Sequence, residues 1–279
     1  MKLIMTLYVR NEADIIRHNI EFHKSVGVDF FIVTDNLSTD STAAILKEYE
    51  QQGILEYHYS DRDDYAQAET VTSMAQRAAI KYGADWVINN DADEFWYPNN
   101  HSSLKDILSV IPENIHGIHV DRYNFVPIKH YKKPFYSSML YKQKISTNWL
   151  GNTIGKKVMH RGNSEVSVRQ GNHRVDGFHG TQAMNTEDID ILHFTARSFD
   201  IWKSRMIVSG KAYENSLLPE HFGNSTRAIY NTFKQNGLKD FYRTHYYTRL
   251  RLLLEAKKGT LIKDTRLRDH MNALSSTNS

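Results

Sequence analysis

The chain has 279 residues, a length that corresponds to one large domain or two modest ones and that permits an enzyme. With 40% hydrophobic and 24% charged residues, it is neither collagen-like, nor of low complexity, nor wholly disordered. Every apolar run is far shorter than the roughly 20 residues that cross a bilayer, so no transmembrane helix is expected. Because the chain has no cysteine, disulfides, thiolate catalysis and cysteine-bound zinc are excluded, and a cytoplasmic location is expected.

The formal net charge of +3 is too small to indicate a nucleic-acid partner, and none is expected. The charge is unevenly distributed along the chain. From Arg227 to the end, eleven Lys or Arg stand against four Asp or Glu, which gives this segment about +7. The C-terminal part therefore favours anionic surroundings.

The first hundred residues alternate between apolar runs of strand character and segments of helical periodicity. The predicted elements are strands at 3–9, 29–34, 54–58 and 85–89 and helices near 15–26, 42–51 and 66–82. Strands that alternate with helices in this way imply right-handed crossovers and a parallel sheet with helices on both faces. The predicted fold class is α/β.

Beyond Pro98 the pattern becomes mixed, and from Phe199 onward it is helical. The predicted elements are a helix near 104–111, strands at 115–126, 156–160, 165–169 and 190–194, and a long helical segment over 226–256. The small, polar residues 272–279 are expected to fray.

The sharpest motif is Asp91-Ala92-Asp93-Glu94, which follows the fourth predicted strand. Ligands of open α/β sheets bind outside the carboxyl ends of the strands, and two aspartates there can turn toward one cation. Carboxylates suit Mg²⁺ or Mn²⁺, which usually also take diphosphate oxygens and water. A solvated acidic turn is the alternative, but three acids within four residues repel one another unless a cation is present. We therefore favour metal binding.

Three further segments accompany this motif: Val9-Arg10-Asn11-Glu12, residues 35–42, and Asp85-Trp86-Val87. Together they resemble the family 2-like glycosyltransferases of the GT-A fold, in particular a bacterial subgroup with an Arg-Asn-Glu start and an Asp-x-Asp-Glu-Phe motif. The stretch Ile191-Leu192-His193-Phe194, with Ser198 and Lys203, is similar more loosely to the end of such enzymes.

The resemblance implies a GT-A-like, Rossmann-type, mostly parallel sheet with helices on both faces, a mixed second half and a helical C-terminal extension. On this basis we predict a catalytic domain over 1–198, with a nucleotide-sugar-binding half (1–98) and an acceptor half (99–198). The helical extension is then 199–279. The implied activity moves a sugar from a nucleotide-diphosphate donor to a hydroxyl of a glycan or lipid-linked acceptor, with inversion. A surface-polysaccharide or lipopolysaccharide acceptor is what the resemblance suggests.

In such an enzyme Asp91 and Asp93 would hold the donor diphosphate through Mn²⁺ or Mg²⁺, and His193 could complete the metal sphere. The alternative for His193 is a core histidine bonded to backbone. The candidate donor-binding residues are Asn11, Glu12, Asp35, Arg62, Gln67, Asp91, His173 and Lys203. Some have structural alternatives, because Asp35 could only form a turn, Glu12 could only favour a helix start, and Arg62 could only pair with acidic neighbours.

An inverting transfer needs a general base, and the residues suggest several. Glu165, Asp176, Glu187 and Asp188 are candidates, of which Asp176 is favoured because it lies between His173 and His179. Glu94 is the second candidate catalytic carboxylate.

Basic and aromatic residues alternate over 241–254, which we interpret as one helix. This helix either packs by its aromatic face or contacts an anionic membrane or lipid-linked acceptor. Two other functions compete with sugar transfer. They are a Mg²⁺-dependent nucleotidyltransferase or phosphohydrolase, for which no Gly-rich phosphate loop is present, and a non-enzymatic carbohydrate- or lipid-binding protein.

Overall fold

The computed structural model describes residues 1–64, 66–179 and 182–277. Contacts divide the chain into two compact units, one formed by Met1–Arg122 with Gly155–Ile191 and one by Tyr123–Ile154 with Leu192–Ser279. This division follows compactness alone. The predicted functional boundaries after residues 98 and 198 stay predictions.

The first unit begins with an alternation of strands and helices, as predicted. The elements are β1 (Leu3–Val9), α1 (Ile16–Ser25), β2 (Phe30–Asn36), α2 (Thr42–Gln51), β3 (Leu55–Ser60), α3 (Gln67–Tyr82) and β4 (Trp86–Asn90). A strand that was not predicted from the sequence follows after three residues, because Glu94, the last residue of the acidic motif, begins it. The remaining elements that lie in this unit or begin in it are β5 (Glu94–Pro98), α4 (Leu104–Leu108), β6 (Ile115–Asn124), β8 (Lys157–Arg161), β9 (Ser167–Val168), β10 (Val175–Asp176) and β11 (Gln182–His193).

Among the described residues, eight strands form one sheet in the order β3-β2-β1-β4-β8-β6-β11-β5. The first four strands are parallel, and β8 pairs antiparallel with both β4 and β6. Strands β1 and β2 are mostly apolar, and β4 is buried at all five positions. The predicted α/β class with a parallel first half and a mixed second half is confirmed.

Helix α3 covers one face of the parallel strands. Its buried residues Val71, Met74 and Ala78 join Ile4 and Ile32 in one apolar cluster. The helix ends at Gly83, whose φ of 61° is in the left-handed region that favours glycine. This packing fixes the strand ends that carry the predicted site residues.

The second unit is mainly helical, as predicted for the C-terminal part. Its elements are β7 (Tyr141–Gln143), α5 (Phe199–Asn215), α6 (Asn224–Lys234), α7 (Leu238–His245), α8 (Arg249–Lys257), β12 (Leu261–Lys263) and α9 (Arg266–Thr277). Trp202, Met206 and Ile229 form the centre of its apolar cluster. Strand β12 pairs antiparallel with β7.

Two predictions for this unit are wrong. The segment 226–256, including the basic and aromatic stretch 241–254, is not one helix. Turns separate α6, α7 and α8, and Tyr246, between α7 and α8, adopts an extended conformation with ψ 157°. The end of the chain is not frayed over 272–277, because α9 continues to Thr277 and buries Leu267 and Met271. Residues 278 and 279 lie outside the described residues. In the described parts of the chain, no helix is both long enough and apolar enough to span a bilayer.

Candidate functional site

The carboxyl ends of three neighbouring strands carry the predicted site residues. In the parallel register Val9 of β1 is opposite Asp35 of β2, and Leu7 of β1 is opposite Asn90 of β4. Asp35 and the motif that follows Asn90 therefore lie at the same edge of the sheet. Parallel sheets of this kind bind ligands at that edge.

The acidic turn, which we define as residues 91–94, is held in one conformation by asparagine side chains. Asn19 Nδ2 donates to two carbonyl oxygens of the turn, each at 2.9 Å, and Asn90 Nδ2 donates to the carbonyl of Glu94 at 3.1 Å. Within the turn, Glu94 N donates to Asp91 O at 3.0 Å. Because both asparagines are buried, the turn is formed before any ligand binds.

His23 supports the acidic turn through Asn19. Its Nδ1 lies 2.8 Å from the backbone oxygen of Asn19, and its Nε2 accepts a hydrogen bond from Trp96 N at 3.1 Å. Burial lowers the pKa of His23 to about 3, so the ring is neutral at physiological pH. It is a structural histidine.

Two basic side chains face the acids of the turn. Lys157 Nζ lies 2.6 Å from Asp91 Oδ2 and 3.3 Å from Glu94 Oε1, and Arg122 Nη1 lies 2.9 Å from the same Glu94 oxygen. Lys157 is 1% exposed, and Asp93 and Glu94 are 0% exposed. From the sequence, we expected a metal ion to compensate the negative charge of these acids. In the structure, protein cations compensate Asp91 and Glu94.

Three acids, Asp91, Asp93 and Glu94, lie within the four residues of the acidic turn. Glu94 Oε2 is buried without a hydrogen-bond partner in the described structure. Among the described residues, no group of three or more His, Asp or Glu is placed to hold a metal ion. Magnesium-like ions are usually bound by one or two carboxylates together with substrate phosphates. The acidic turn therefore fits a divalent cation that arrives with a diphosphate.

Asp35 is 1% exposed and both of its carboxylate oxygens accept hydrogen bonds. Oδ1 accepts from Ser38 N at 3.1 Å, and Oδ2 accepts from the Tyr57 hydroxyl at 3.2 Å. Burial, reinforced by the charge of Asp35, raises the pKa of Tyr57 to about 12, so its hydroxyl stays a donor. The bond to Ser38 is the turn interaction that the sequence analysis gave as the alternative, and each oxygen can accept a further bond.

Asn11 and Glu12 connect the end of β1 to the loop before α2. Asn11 has a φ of 56°, its N donates to Ser38 Oγ at 2.9 Å, and its Oδ1 accepts from Thr39 N at 2.7 Å. Glu12 N donates to Thr42 Oγ1 at 2.9 Å. Both residues shape the same sheet edge as Asp35.

Arg62 and Gln67 precede and begin α3. The exposed Arg62 side chain forms ion pairs with Asp64 at 2.8 Å and Glu69 at 2.6 Å, which is the alternative that the sequence analysis left open. The side-chain oxygen of Gln67 accepts from Gln170 Nε2 at 2.7 Å. Gln67 thereby ties α3 to the 3₁₀ turn at residues 170–172.

His173 follows that turn and lies in the field of the charged cluster. Its Nδ1 is 2.6 Å from Lys156 O, and its pKa is lowered by burial and then by the charge of Lys157. Gly171 has a φ of +76°, and a Cβ there would lie 2.8 Å from His173 Cδ2. Glycine is required beside this histidine for both reasons.

Asp176, the favoured general base, is held by two arginines on the small β9–β10 sheet. Its carboxylate pairs with Arg169 and, at 2.9 Å, with Arg174. The hydrogen bond from Arg169 holds the pKa of Asp176 below its usual range. A carboxylate stabilised in this way is a weak base, so the geometry favours a structural role for Asp176.

Two of the predicted residues belong to the second unit. His193 Nδ1 lies 2.7 Å from Asn124 Oδ1, and Lys203 is exposed on α5. Ser198 is the N-cap of α5, since its Oγ accepts from Ile201 N at 3.3 Å. The roles of His193 and Lys203 stay predictions.

Three residues that contact the acidic turn were not predicted from the sequence: Lys157, Arg122 and Asn19. Lys157 begins β8 directly before Val158 and Met159, and a lysine that is buried at such a position needs an acidic partner. That signal could have been used. Arg122 and Asn19 carry no comparable signal, because polar residues on a strand edge or a helix are usually solvated.

Residues 4–235 match the model of glycosyltransferase family 92. This match covers both the acidic turn and the strands that carry it, and it confirms the prediction of a glycosyltransferase. The family 2-like group named from the motifs is not confirmed. A search of the curated proteins gave no match to this chain.

Solved structures give weaker likenesses. S. aureus TarS residues 1–349 with UDP has 12% identity and a TM-score of 0.47, over 84% of this chain and 72% of that one. Glucosyl-3-phosphoglycerate synthase from Mycobacterium tuberculosis with Mn²⁺, UDP and phosphoglyceric acid has 16% identity and a TM-score of 0.30, over 50% of this chain and 46% of that one. Because these TM-scores are below 0.5, the ligands bound in those crystals are properties of those proteins and are not transferred to this chain.

Proposed function

The chain belongs to glycosyltransferase family 92, and from this premise we propose that it transfers a sugar from a nucleotide-diphosphate donor to a hydroxyl of a glycan or glycolipid acceptor. The observation that carries the proposal is the acidic turn, which is preformed and buried at the carboxyl edge of a parallel sheet. A rigid carboxylate pair at this edge suits a diphosphate that is bound through a cation.

Asp91 and Asp93 would hold Mn²⁺ or Mg²⁺, which supplies positive charge that stabilises the leaving diphosphate. Before the donor arrives, Lys157 Nζ places positive charge 2.6 Å from the Asp91 carboxylate. Arg122 does the same for Glu94 at 2.9 Å. These ion pairs offset part of the cost of burying the carboxylates.

The donor's nucleoside is assigned to the neighbouring strand ends. Asp35 can accept a hydrogen bond from a base N–H or a ribose hydroxyl, and Asn11 and Glu12 shape the loop beside it. Gln67 and Arg62 lie at the start of α3 and in the loop before it, where helix N–H groups favour phosphate. Inversion is proposed from the family resemblance, and the base that takes the acceptor proton is not assigned.

We propose that α8 contacts an anionic membrane peripherally and that transfer to the acceptor takes place there. On α8, Leu250, Leu253 and Leu254 are 67%, 54% and 50% exposed. Arg249 and Lys257 are exposed on the same helix, which combines apolar and basic surface as interfacial helices do. Sedimentation with phosphatidylglycerol vesicles tests this contact, with Leu250→Glu/Leu253→Glu expected to lose pelleting and Ile80→Glu, an exposed residue of α3, as the control.

A transfer assay tests the proposed function. The full chain is incubated with a panel of sugar nucleotides and mixed glycan acceptors in Mn²⁺, in Mg²⁺ and in EDTA. Release of nucleoside diphosphate that requires both an acceptor and a divalent ion is the expected result. Metal-dependent hydrolysis that ignores the acceptor would identify a phosphohydrolase instead. Saccharide binding without turnover of any donor would identify a binding protein.

A further inference from the structure

The second unit contains a pocket of about 550 Å³ with a basic and aromatic lining. Lys129, Lys132, Lys239 and Arg243 provide its charge, and the rings include that of Tyr242. Its volume is within the range of small-molecule sites, roughly 300 to 1,000 Å³. The donor site proposed above uses none of these residues.

Most of the positive charge in this pocket is uncompensated. Arg243 pairs with Asp240 at 3.0 Å and so contributes little net charge. The amines of Lys129, Lys132 and Lys239 make no ion pair with any carboxylate of the described residues. Three ammonium groups around one cavity repel one another, and an anion bound between them removes that repulsion.

The backbone around the pocket is fixed. Lys129 N donates to Tyr247 O at 2.9 Å, and Ser138 Oγ donates to Lys132 O at 3.0 Å. The N-terminus of α5, with Ser198 and Phe199, also lines the pocket. Since this helix has 17 residues, its positive end adds to the attraction for an anion.

Aromatic rings form the remainder of the lining. The Phe199 and Tyr242 ring centroids are 5.2 Å apart, and those of Tyr242 and Tyr246 are 6.0 Å apart. Such rings offer an apolar surface with a polar tip, which suits a sugar ring better than a bare inorganic ion. Burial raises the pKa of Tyr242 to about 12, so its hydroxyl is a hydrogen-bond donor at neutral pH.

We propose that this pocket binds the phosphate or carboxylate group of an anionic acceptor saccharide. The lysines neutralise the oxyanion, and the aromatic rings pack on the sugar that carries it. The identity of the ligand as an acceptor rests on the glycosyl transfer proposed above. The pocket itself is a binding site that can be tested without any transfer.

Calorimetry with the full chain tests the pocket, using glucose 6-phosphate, glucuronate and neutral glucose as probes. The pocket variant is Lys129→Gln/Lys239→Gln, and Lys211→Gln/Lys263→Gln removes the same charge from exposed positions outside the pocket. We expect at least one anionic probe to bind the wild type at least tenfold more tightly than glucose. The pocket variant should lose at least tenfold in affinity for that probe, and the control variant less than twofold.

Equal affinities of the two variants would overturn the proposal, as would the absence of binding by both anionic probes. If only phosphatidylglycerol vesicles depend on Lys129 and Lys239, the site takes a lipid headgroup and the saccharide proposal is wrong. Nucleoside diphosphate binding is measured on the same samples. If the wild type binds no nucleoside diphosphate, the proposed function is contradicted. If only the pocket proposal is wrong, nucleoside diphosphate binding is the same in the wild type and in both variants.

Discussion

The acidic turn of the first unit and the basic pocket of the second hold charge in opposite ways. In the turn, Asp93 and Glu94 are fully buried and the backbone is braced by Asn19 and Asn90. In the pocket, Lys129, Lys132 and Lys239 are exposed, and the described residues give them no ion pair. A buried, braced charge suits one ligand geometry, whereas exposed lysines adapt to an anion of variable shape.

Two adjacent lysines show the same difference within the first unit. Lys157 pairs with Asp91 at 2.6 Å and is 1% exposed, whereas Lys156 pairs with Asp121 at 2.7 Å and is 38% exposed. The distances are nearly equal, but the surroundings differ. Burial therefore decides what each ion pair contributes, because water screens the exposed pair and leaves the buried one dependent on its partner.

The largest expected effect comes from the acidic turn itself. Asp91→Asn and Asp93→Asn remove charge at constant volume, so the fold should persist while transfer falls by about a thousandfold, or about 4 kcal/mol. Turnover and circular dichroism are measured on each variant. Glu113→Gln, an exposed acid of the same unit, is the control and should keep wild-type turnover. Wild-type turnover by the double variant would contradict the metal assignment.

Replacement of Lys157 tests the buried pair. Lys157→Met leaves Asp91 and Glu94 short of a cation, which should cost about 3 kcal/mol of folding free energy. For a chain of this size, that corresponds to a fall of roughly 6 to 12 °C in Tm. The matched variant Lys156→Met breaks an exposed pair and should cost less than about 1 kcal/mol. Equal changes in Tm for the two variants would remove the distinction between these lysines.

Asp35 tests the strand end next to the turn. Asp35→Ala should weaken donor binding by about tenfold through the loss of one charge-assisted hydrogen bond, with a smaller effect on the metal. Tyr57→Phe is the control, because it removes the hydroxyl that bonds Asp35 and leaves the carboxylate in place. Calorimetric affinities that are the same for Asp35→Ala and wild type would make Asp35 a turn residue only.

Asp176 gives the smallest expected effect. Its pKa is lowered by Arg169, so the carboxylate is already charged at neutral pH and its ion pairs weaken only as pH falls through the lowered pKa. Asp176→Asn should change turnover by less than about threefold and leave the pH–rate profile unchanged from about pH 5 to 8. A hundredfold loss of turnover with loss of the acidic limb of the pH–rate profile would restore Asp176 as the general base.

The alternation of apolar strands and helices predicted the parallel half of the fold closely, because each element there carries its own periodicity and end signals. The range of β1 and that of α2 agree with the predicted ones. The prediction of one long helix over 226–256 was wrong. The aromatic and basic residues of this segment suit helices throughout, so the residue pattern does not reveal the turns that separate α6, α7 and α8. Strand β5 was missed because an acidic motif is usually a loop, and here its last residue enters a sheet.

The candidate site was predictable where chemistry and position coincide. Asp91 and Asp93 combine acidic side chains with a strand end, and both could be named from the sequence. The hydrogen bonds of Asn19 to the acidic turn, and the positions of the cations Lys157 and Arg122, depend on contacts between residues far apart in the chain. Periodicity and spacing do not report such contacts.

The most direct test of the central claim is calorimetric binding of nucleoside diphosphates to the full chain. UDP, GDP, ADP and CDP are titrated into wild type and Asp93→Asn, in Mn²⁺ and in EDTA. A nucleotide-sugar transferase with its metal at the acidic turn predicts that at least one nucleotide binds the wild type in Mn²⁺. Its affinity should fall at least tenfold in EDTA and at least tenfold in the variant. A folded wild type that binds none of the four in either condition would contradict the claim.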